Sequence, residues 1–488
     1  MADKESRNKV VSGLFWKFAE SACADIVSFG VSVILARLLL PADYGEVGLV
    51  NVFIVLANVF VVNGLGTALV QKKDADELDF SSVFYANLLL SLVLYGGLWF
   101  ASPFIADFYD MPHLCIVLRV LGIKVPIAAI NSIQNAYVSR EMIFKKFFFA
   151  TIIGTIISAI VGIYMAYAGF GVWALVAQIL TNTIIDTIVL FITVRWFPRL
   201  MFSLKRLKEL FNYGWKILVS SLIKTGYGQL SNLLIGKLYS KEDLAFYNRG
   251  QKYPDLIVTD INSAISSVLF PAIAKKQDDI GQVKAMTRRA MKTSTFVMTP
   301  LLIGLAAIAE PLVRWMLTDK WLPCVPFIRV CCIYCMMQPI QTANLQAIRA
   351  IGRSDVILKL DIVKRGAGLV LLLLMMRISV MGVAVAPVFM SLIATCVNVG
   401  ANKKLIAYSY KEQFLDLIPN FLLAGMMGVA VYTLSLLLAA KAFPSLSIVV
   451  ISTLVGAAFY LGLSFVLRLE PFEYLRSITI HYIRNRSL

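Results

Sequence analysis

Fourteen apolar runs, most of them about 20 residues or longer, alternate along the chain with short polar stretches. They cover approximately 12–38, 44–66, 80–102, 114–137, 147–168, 171–194, 210–238, 245–273, 293–317, 324–350, 356–377, 380–402, 414–440 and 444–467. A bilayer admits only structures that satisfy their own backbone polar groups, which means helices or closed barrels. The runs lack the ~10-residue alternation of barrel strands, so the pattern predicts an all-α polytopic membrane protein of about 14 transmembrane helices.

Composition agrees. The chain has 488 residues, of which 59% are hydrophobic and 15% charged, against roughly 25% charged in soluble domains. The mean hydropathy is +0.77. Too little polar sequence is present to coat two or three soluble domains.

Charge adds the topology. The excess is 46 basic over 29 acidic residues, or +17, and most basic residues fall in alternate loops. One set holds Lys72 and Lys73; Arg140, Lys145 and Lys146; Arg195 to Lys208; Lys275 to Arg289; Arg349 and Arg353; and Lys403 to Lys411. The other set is nearly uncharged, as in Ala166 to Gly171. The positive-inside rule puts the basic set, and with it both termini, in the cytoplasm. The polar stretch Met1 to Val10 is followed by no cleavable leader, so the first helix is expected to direct insertion. Phe202 to Phe211 interleaves Lys205, Arg206 and Lys208 with leucines, which fits a short amphipathic helix on the inner leaflet or a solvated basic loop.

The chain also repeats. Ile34-Leu-Ala-Arg-Leu-Leu-Leu-Pro-Ala-Asp43 parallels Leu234-Ile-Gly-Lys-Leu-Tyr-Ser-Lys-Glu-Asp243 at an offset of 200. Trp16-Lys17 parallels Trp215-Lys216 at 199. Six spans separate the copies, so both have one orientation, as in transporters built from parallel repeats. The expected division is an N-lobe over 1–200, a C-lobe over 201–410, and two further spans with a tail over 411–488. Two pseudo-repeated six-helix lobes would then surround a central cavity.

Ionisable groups inside lipid are costly and commonly line cavities. Lys17, Ser21, Asp25 and Ser28 form one helical stripe in the first span, with Glu20 beside it. Lys216, Ser220, Lys224 and Tyr227 form the matching stripe in the seventh. Either the stripes line a cavity, or Asp25 and Lys224 pair to hold the lobes together. Further candidates are Arg119 and Lys124 in the fourth span, Asp186 in the sixth, and Arg249, Lys252, Asp255 and Asp260 in the eighth. Lys359, Asp361, Lys364 and Arg365 open the eleventh, where snorkelling to the cytoplasm explains them. The buried set is more basic than acidic, which suits a phosphate-bearing ligand.

Other chemistry is sparse. Cys332-Ile-Tyr-Cys335 matches C-x-x-C with Cys331 adjacent, but the chain has only His113 and His481. These cysteines are read as buried, unbridged small hydrophobes, and no metal site is expected. No G-x-x-x-x-G-K-[ST] occurs, so nucleotide hydrolysis does not drive transport. An ion gradient or the substrate's own gradient must do so, with Asp25 and Glu20 as candidate coupling acids.

Ala36-Arg-Leu-Leu-Leu-Pro-Ala-Asp-Tyr-Gly45 and Gly171-Val-Trp-Ala-Leu-Val176 resemble signatures of bacterial polysaccharide transporters. Phe246-Tyr-Asn-Arg-Gly-Gln251 and Ile261-Asn-Ser-Ala-Ile-Ser-Ser-Val-Leu-Phe-Pro271 resemble the subgroup of colanic acid and teichuronic acid exporters. The resemblance implies a Wzx-type flippase of the multidrug/oligosaccharidyl-lipid/polysaccharide superfamily, not an enzyme. It implies alternating-access transport of undecaprenyl-diphosphate-linked oligosaccharides across the bacterial inner membrane. No cofactor is expected beyond a coupling ion, a proton or sodium. Partners would be membrane lipid, the glycan-lipid, and polysaccharide polymerase and export machinery, with no nucleic acid. On that basis Lys17, Lys216, Lys224, Arg249, Lys252, Arg119 and Lys124 are the expected ligands of diphosphate or acidic sugar, with Arg249 near the outer face. Glu20, Asp25, Asp186 and Asp260 are the expected cavity acids. A lipid II flippase or cation-coupled drug exporter shares the fold. A polysaccharide polymerase or ligase would need a substantial outer loop with catalytic Arg or His, and the outer loops are short.

Overall fold

The computed structural model describes residues 2–477 except positions 73 and 142; the side chains of 2–15, 17–19, 22, 213 and 260 also fall outside the described set. Every regular element among the described residues is helical. The chain divides into two compact units, 1–245 and 246–488.

The first unit contains α1 (Ala2–Leu38), α2 (Pro41–Val62), α3 (Leu65–Gln71), α4 (Glu77–Phe108), α5 (Pro112–Gly122), α6 (Lys124–Glu141), α7 (Lys145–Tyr167), α8 (Val172–Val194) and α9 (Leu204–Leu238). α10 (Lys241–Ala274) starts there and runs into the second unit. The rest are α11 (Ile280–Ala307), α12 (Ala309–Leu317), a 3-10 turn (Asp319–Cys324), α13 (Val325–Cys335), α14 (Gln338–Ala350), α15 (Ser354–Met375), α16 (Val380–Leu405), α17 (Tyr410–Ala440) and α18 (Ser445–Val466).

Each of the fourteen expected spans is a helix or a helix in two pieces. Eleven are long and apolar enough to cross a membrane. The other three, α1, α9 and α15, have the length but carry the charged positions noted above.

Two broken spans occupy equivalent places in the repeat, the fourth and the tenth. α6 has Pro126 in its first turn and α14 has Pro339. A proline gives no N–H to the carbonyl four residues back, so the helix parts before it. Those carbonyls belong to Gly122 and Cys335, the last residues of α5 and α13.

The repeat is also written in the caps. α1 and α9 end at 38 and 238, and α2 and α10 start at 41 and 241. The Leu40 N–H donates to the Asp43 carboxylate at 3.0 Å. At the corresponding place Ser240 donates to Asp243 through its N–H, at 3.3 Å, and its hydroxyl, at 2.8 Å. These two turns approach one another: a Cβ on Gly45 would collide with the Lys241 backbone. Because backbone cannot swing aside as a side chain can, Gly45→Ala is expected to destabilise the fold by about 1–3 kcal/mol. Thermal denaturation of the detergent-solubilised protein, followed by size-exclusion recovery, measures it.

Two of the basic segments differ from expectation. Residues 204–211 are the first two turns of the 35-residue α9, not a separate surface helix. The Ser203 hydroxyl caps that start by accepting from Arg206 N–H. The segment before it is tied to α4 and α6. Ser81 and Ser82 hydroxyls accept from Arg199 and Ser203 N–H at 3.0 Å each, and Gln134 donates to the Trp196 carbonyl at 2.9 Å. Trp196 is buried against Phe80 and Phe84. Likewise α11 begins at Ile280, capped by Asp279, rather than near 293. Its early basic residues are matched across the fold: Lys284 to Glu412, Arg288 to Asp416, and Lys292 to Asp416 and Glu470.

A fully buried carboxylate organises the α3–α4 turn. Asp79 accepts from Lys72 Nζ at 2.7 and 2.8 Å and has Arg206 of α9 at 3.6 Å. It also closes a reciprocal cap with Asp76, whose carboxylate takes the Asp79 N–H and titrates lower for that reason.

Candidate functional site

The two polar stripes are placed by the packing of their helices. α9 packs on α2, α3 and α4, and α1 packs on α7. What those contacts leave uncovered is the polar side. Lys216, Ser220 and Lys224 are exposed and Tyr227 is half-buried. On α1, Ser21, Asp25 and Ser28 are exposed. Lys17 and Asp260 lie outside the described side chains. Eight residues separate Lys216 from Lys224, so the two ammonium groups stand two turns, or ~12 Å, apart along one helix face. Such a face needs no covalent chemistry: it offers two cations on flexible stems to an extended polyanion.

Glu20 points away from this stripe. Five residues, or ~140° around the helix, separate it from Asp25. Glu20 is buried and accepts from the Thr151 hydroxyl of α7 at 3.1 Å. Asp186 of α8 accepts from Asn131 of α6 at 2.7 Å. Two polar pairs, Glu20 with Thr151 and Asp186 with Asn131, thus join four helices two by two inside the first unit. Asn131 and Thr151 had no distinguishing signal in the sequence, since polar uncharged residues are frequent in these spans.

Of the remaining basic candidates, Arg119 and Arg249 stack on tryptophan rings. The Arg119 guanidinium lies over the Trp99 ring at 4.7 Å and donates to the Ser102 hydroxyl at 2.8 Å. Lys124 is the half-buried first residue of α6. Arg249 is 5% exposed and stacks on the fully buried Trp321 at 4.9 Å. Trp321 is thus the ring that positions Arg249, a candidate ligand from the sequence, within the second unit. Lys252, three residues on, is exposed.

The second unit has its own buried polar network, also missed in the sequence. Asn402 donates to the Asn344 side chain at 2.6 Å, and Asn344 to Gln413 at 3.0 Å. The Tyr408 hydroxyl donates to Asp416 at 2.7 Å. Burial first, then that carboxylate, keeps the Tyr408 hydroxyl protonated far above the usual phenol range.

Comparison with known proteins places these features. A family model described as polysaccharide biosynthesis protein matches residues 34–326. The chain is 26% identical over 439 residues to teichuronic acid biosynthesis protein TuaB of Bacillus subtilis (strain 168), covering 88% of this chain and 89% of that one. It is 22% identical over 446 residues to lipopolysaccharide biosynthesis protein WzxC of Escherichia coli (strain K12), again covering 88% and 89%. Among solved structures, lipid II flippase MurJ in an inward closed conformation superposes with a TM-score of 0.70 at 16% identity, over 91% of this chain and 98% of that one. An inward-facing multidrug resistance MATE family transporter gives 0.60 at 15%, over 79% and 94%. These two likenesses are of fold.

Proposed function

The chain belongs to the polysaccharide biosynthesis protein family, and on that premise we propose that it is a flippase for undecaprenyl-diphosphate-linked oligosaccharides. It would work by alternating access in the bacterial inner membrane, with both termini cytoplasmic. The coarser statement rests directly on the relatives and the fold: the protein is a multi-pass membrane transporter of polysaccharide biosynthesis, and not an enzyme. Because the fold is shared with transporters of different cargo, the cargo is argued from charge. The observation that carries it is the exposed Lys216–Lys224 face of α9. A diphosphate has several strong acceptor oxygens, and an ammonium on a flexible stem is a natural partner for it. Asp25 and Ser28 on α1 would contact sugar hydroxyls.

Accessibility of a labelled glycan-lipid in inverted membrane vesicles tests the proposal. Protein-dependent transfer of the head group to the vesicle lumen is expected. Growth of glycan chains without transfer would mean a polymerase instead.

Glu20 and Asp186 are proposed to hold the coupling ion, a proton or sodium. Carboxylates, amide and hydroxyl oxygens are hard donors suited to either. Glu20→Gln and Asp186→Asn are each expected to make vesicle transport insensitive to collapse of the ion gradient, at a rate reduced about tenfold or more. Transport by either variant that keeps wild-type rate and gradient dependence would rule out this pair.

A further inference from the structure

A second cluster of ligand atoms lies in the second unit, where α10 meets α13. Cys331 and Cys335 are one helical turn apart, with their sulfurs 3.9 Å from each other. The sulfur pair is therefore 331 with 335, not the 332 with 335 of the C-x-x-C motif. One oxygen of Asp255, on α10, joins them, and the three ligand atoms all lie within 4.8 Å of one another. The Tyr334 hydroxyl donates to Asp255 at 3.4 Å.

We propose that Asp255, Cys331 and Cys335 bind a thiophilic divalent cation of the zinc and cadmium class. Two thiolates ~2.3 Å from a tetrahedral zinc stand ~3.8 Å apart, which is the separation these sulfurs already have. A carboxylate at the same distance range makes three protein ligands, and water completes four. The cysteines are buried while Asp255 and Tyr334 are half-buried, so an ion enters and water sits on the carboxylate side.

The backbone favours a cation there too. α13 ends at Cys335, and the C-terminal end of a helix carries negative partial charge. Pro339 has no N–H to offer the Cys335 carbonyl. Charge also balances. Binding replaces two thiol protons, which leave to solvent, and two thiolates with one carboxylate around a dication carry a net −1. Lys252 lies one turn before Asp255 on α10. An ion at this point would staple α10 to the break between α13 and α14.

The full-length protein, purified in detergent and kept reduced, is titrated with Cd2+ alone. A sulfur-to-cadmium charge-transfer band is expected to saturate at about one ion per chain, and Zn2+ should displace it. Cys332→Ser keeps the band. Cys331→Ser and Cys335→Ser each weaken binding more than about tenfold, and Tyr334→Phe, which loosens Asp255, by about tenfold. Zn2+ should also shield Cys331 and Cys335 from maleimide, read by mass spectrometry. If the cysteine variants do not fold, Asp255→Asn is used, again with a loss of more than about tenfold expected. Absence of a saturable band overturns the proposal. So does a band indifferent to Asp255 and Cys331, or ready formation of a Cys331–Cys335 disulfide in protein whose reduced form takes up no metal.

Discussion

Export should collapse when Lys216 and Lys224 are both replaced by alanine, with no loss of folded protein. Each ammonium can make a charge-assisted hydrogen bond to a phosphate oxygen, worth about 1.5–3 kcal/mol. That is about tenfold to 100-fold in head-group affinity per lysine. Neither side chain is buried and neither forms an ion pair among the described residues, so folding stability should move by no more than ~0.5 kcal/mol. The check is export of the glycan at matched membrane protein levels, with Lys208→Ala, nearer the N-terminal end of α9, as the control. Single variants should be partly impaired. Wild-type export by the double variant would eliminate the basic face as the head-group site and leave the family assignment untouched.

The largest stability effect should come from Asp79→Ala. Asp79 is fully buried and receives Lys72 directly, with Arg206 nearby. Removing it strands an ammonium in a poor dielectric, which costs about 3–5 kcal/mol. It also removes half of the cap on α4, and α9 loses one anchor at its start. Loss of monodisperse protein on heating in detergent measures the effect. Adding Lys72→Ala to Asp79→Ala should recover part of the loss, because the stranded charge goes with it. A double variant no better than the single one would mean that the cap, rather than the ion pair, holds the turn.

What the sequence reveals follows from how local its signals are. A span is a run of neighbours, so α2, α8 or α18 can be recognised from hydropathy alone. The repeat is legible for the same reason: Asp43 and Asp243 each cap a turn three residues away. The stripes of α1 and α9 are legible because helical period is local too. Partners are not. Lys284, Arg288 and Lys292 look like a solvated loop until Glu412, Asp416 and Glu470 come to meet them, and helix then extends back to Ile280. The rings that Arg119 and Arg249 stack on, Trp99 and Trp321, are distant from them in sequence, so those contacts are not legible beforehand. The Cys331–Cys335 spacing was available as a helical i, i+4 pair. Asp255, 76 residues before Cys331, has no sequence signal that ties it to that pair.

The anchoring of the stretch from Trp196 to Ser203 bears on how the protein is made. Its docking sites, Ser81, Ser82 and Gln134, are synthesised well before it. α9, the opening helix of the second copy in the repeat, packs on α2, α3 and α4 from the first copy. Six spans released from the insertion machinery are thus an unfinished body, with one wall still on the ribosome. An insertase or chaperone that lets go at the sixth span would leave the faces of those three helices open to lipid. Release after the turn at Tyr239 to Lys241 would hand over those three helices with α9 already packed on them.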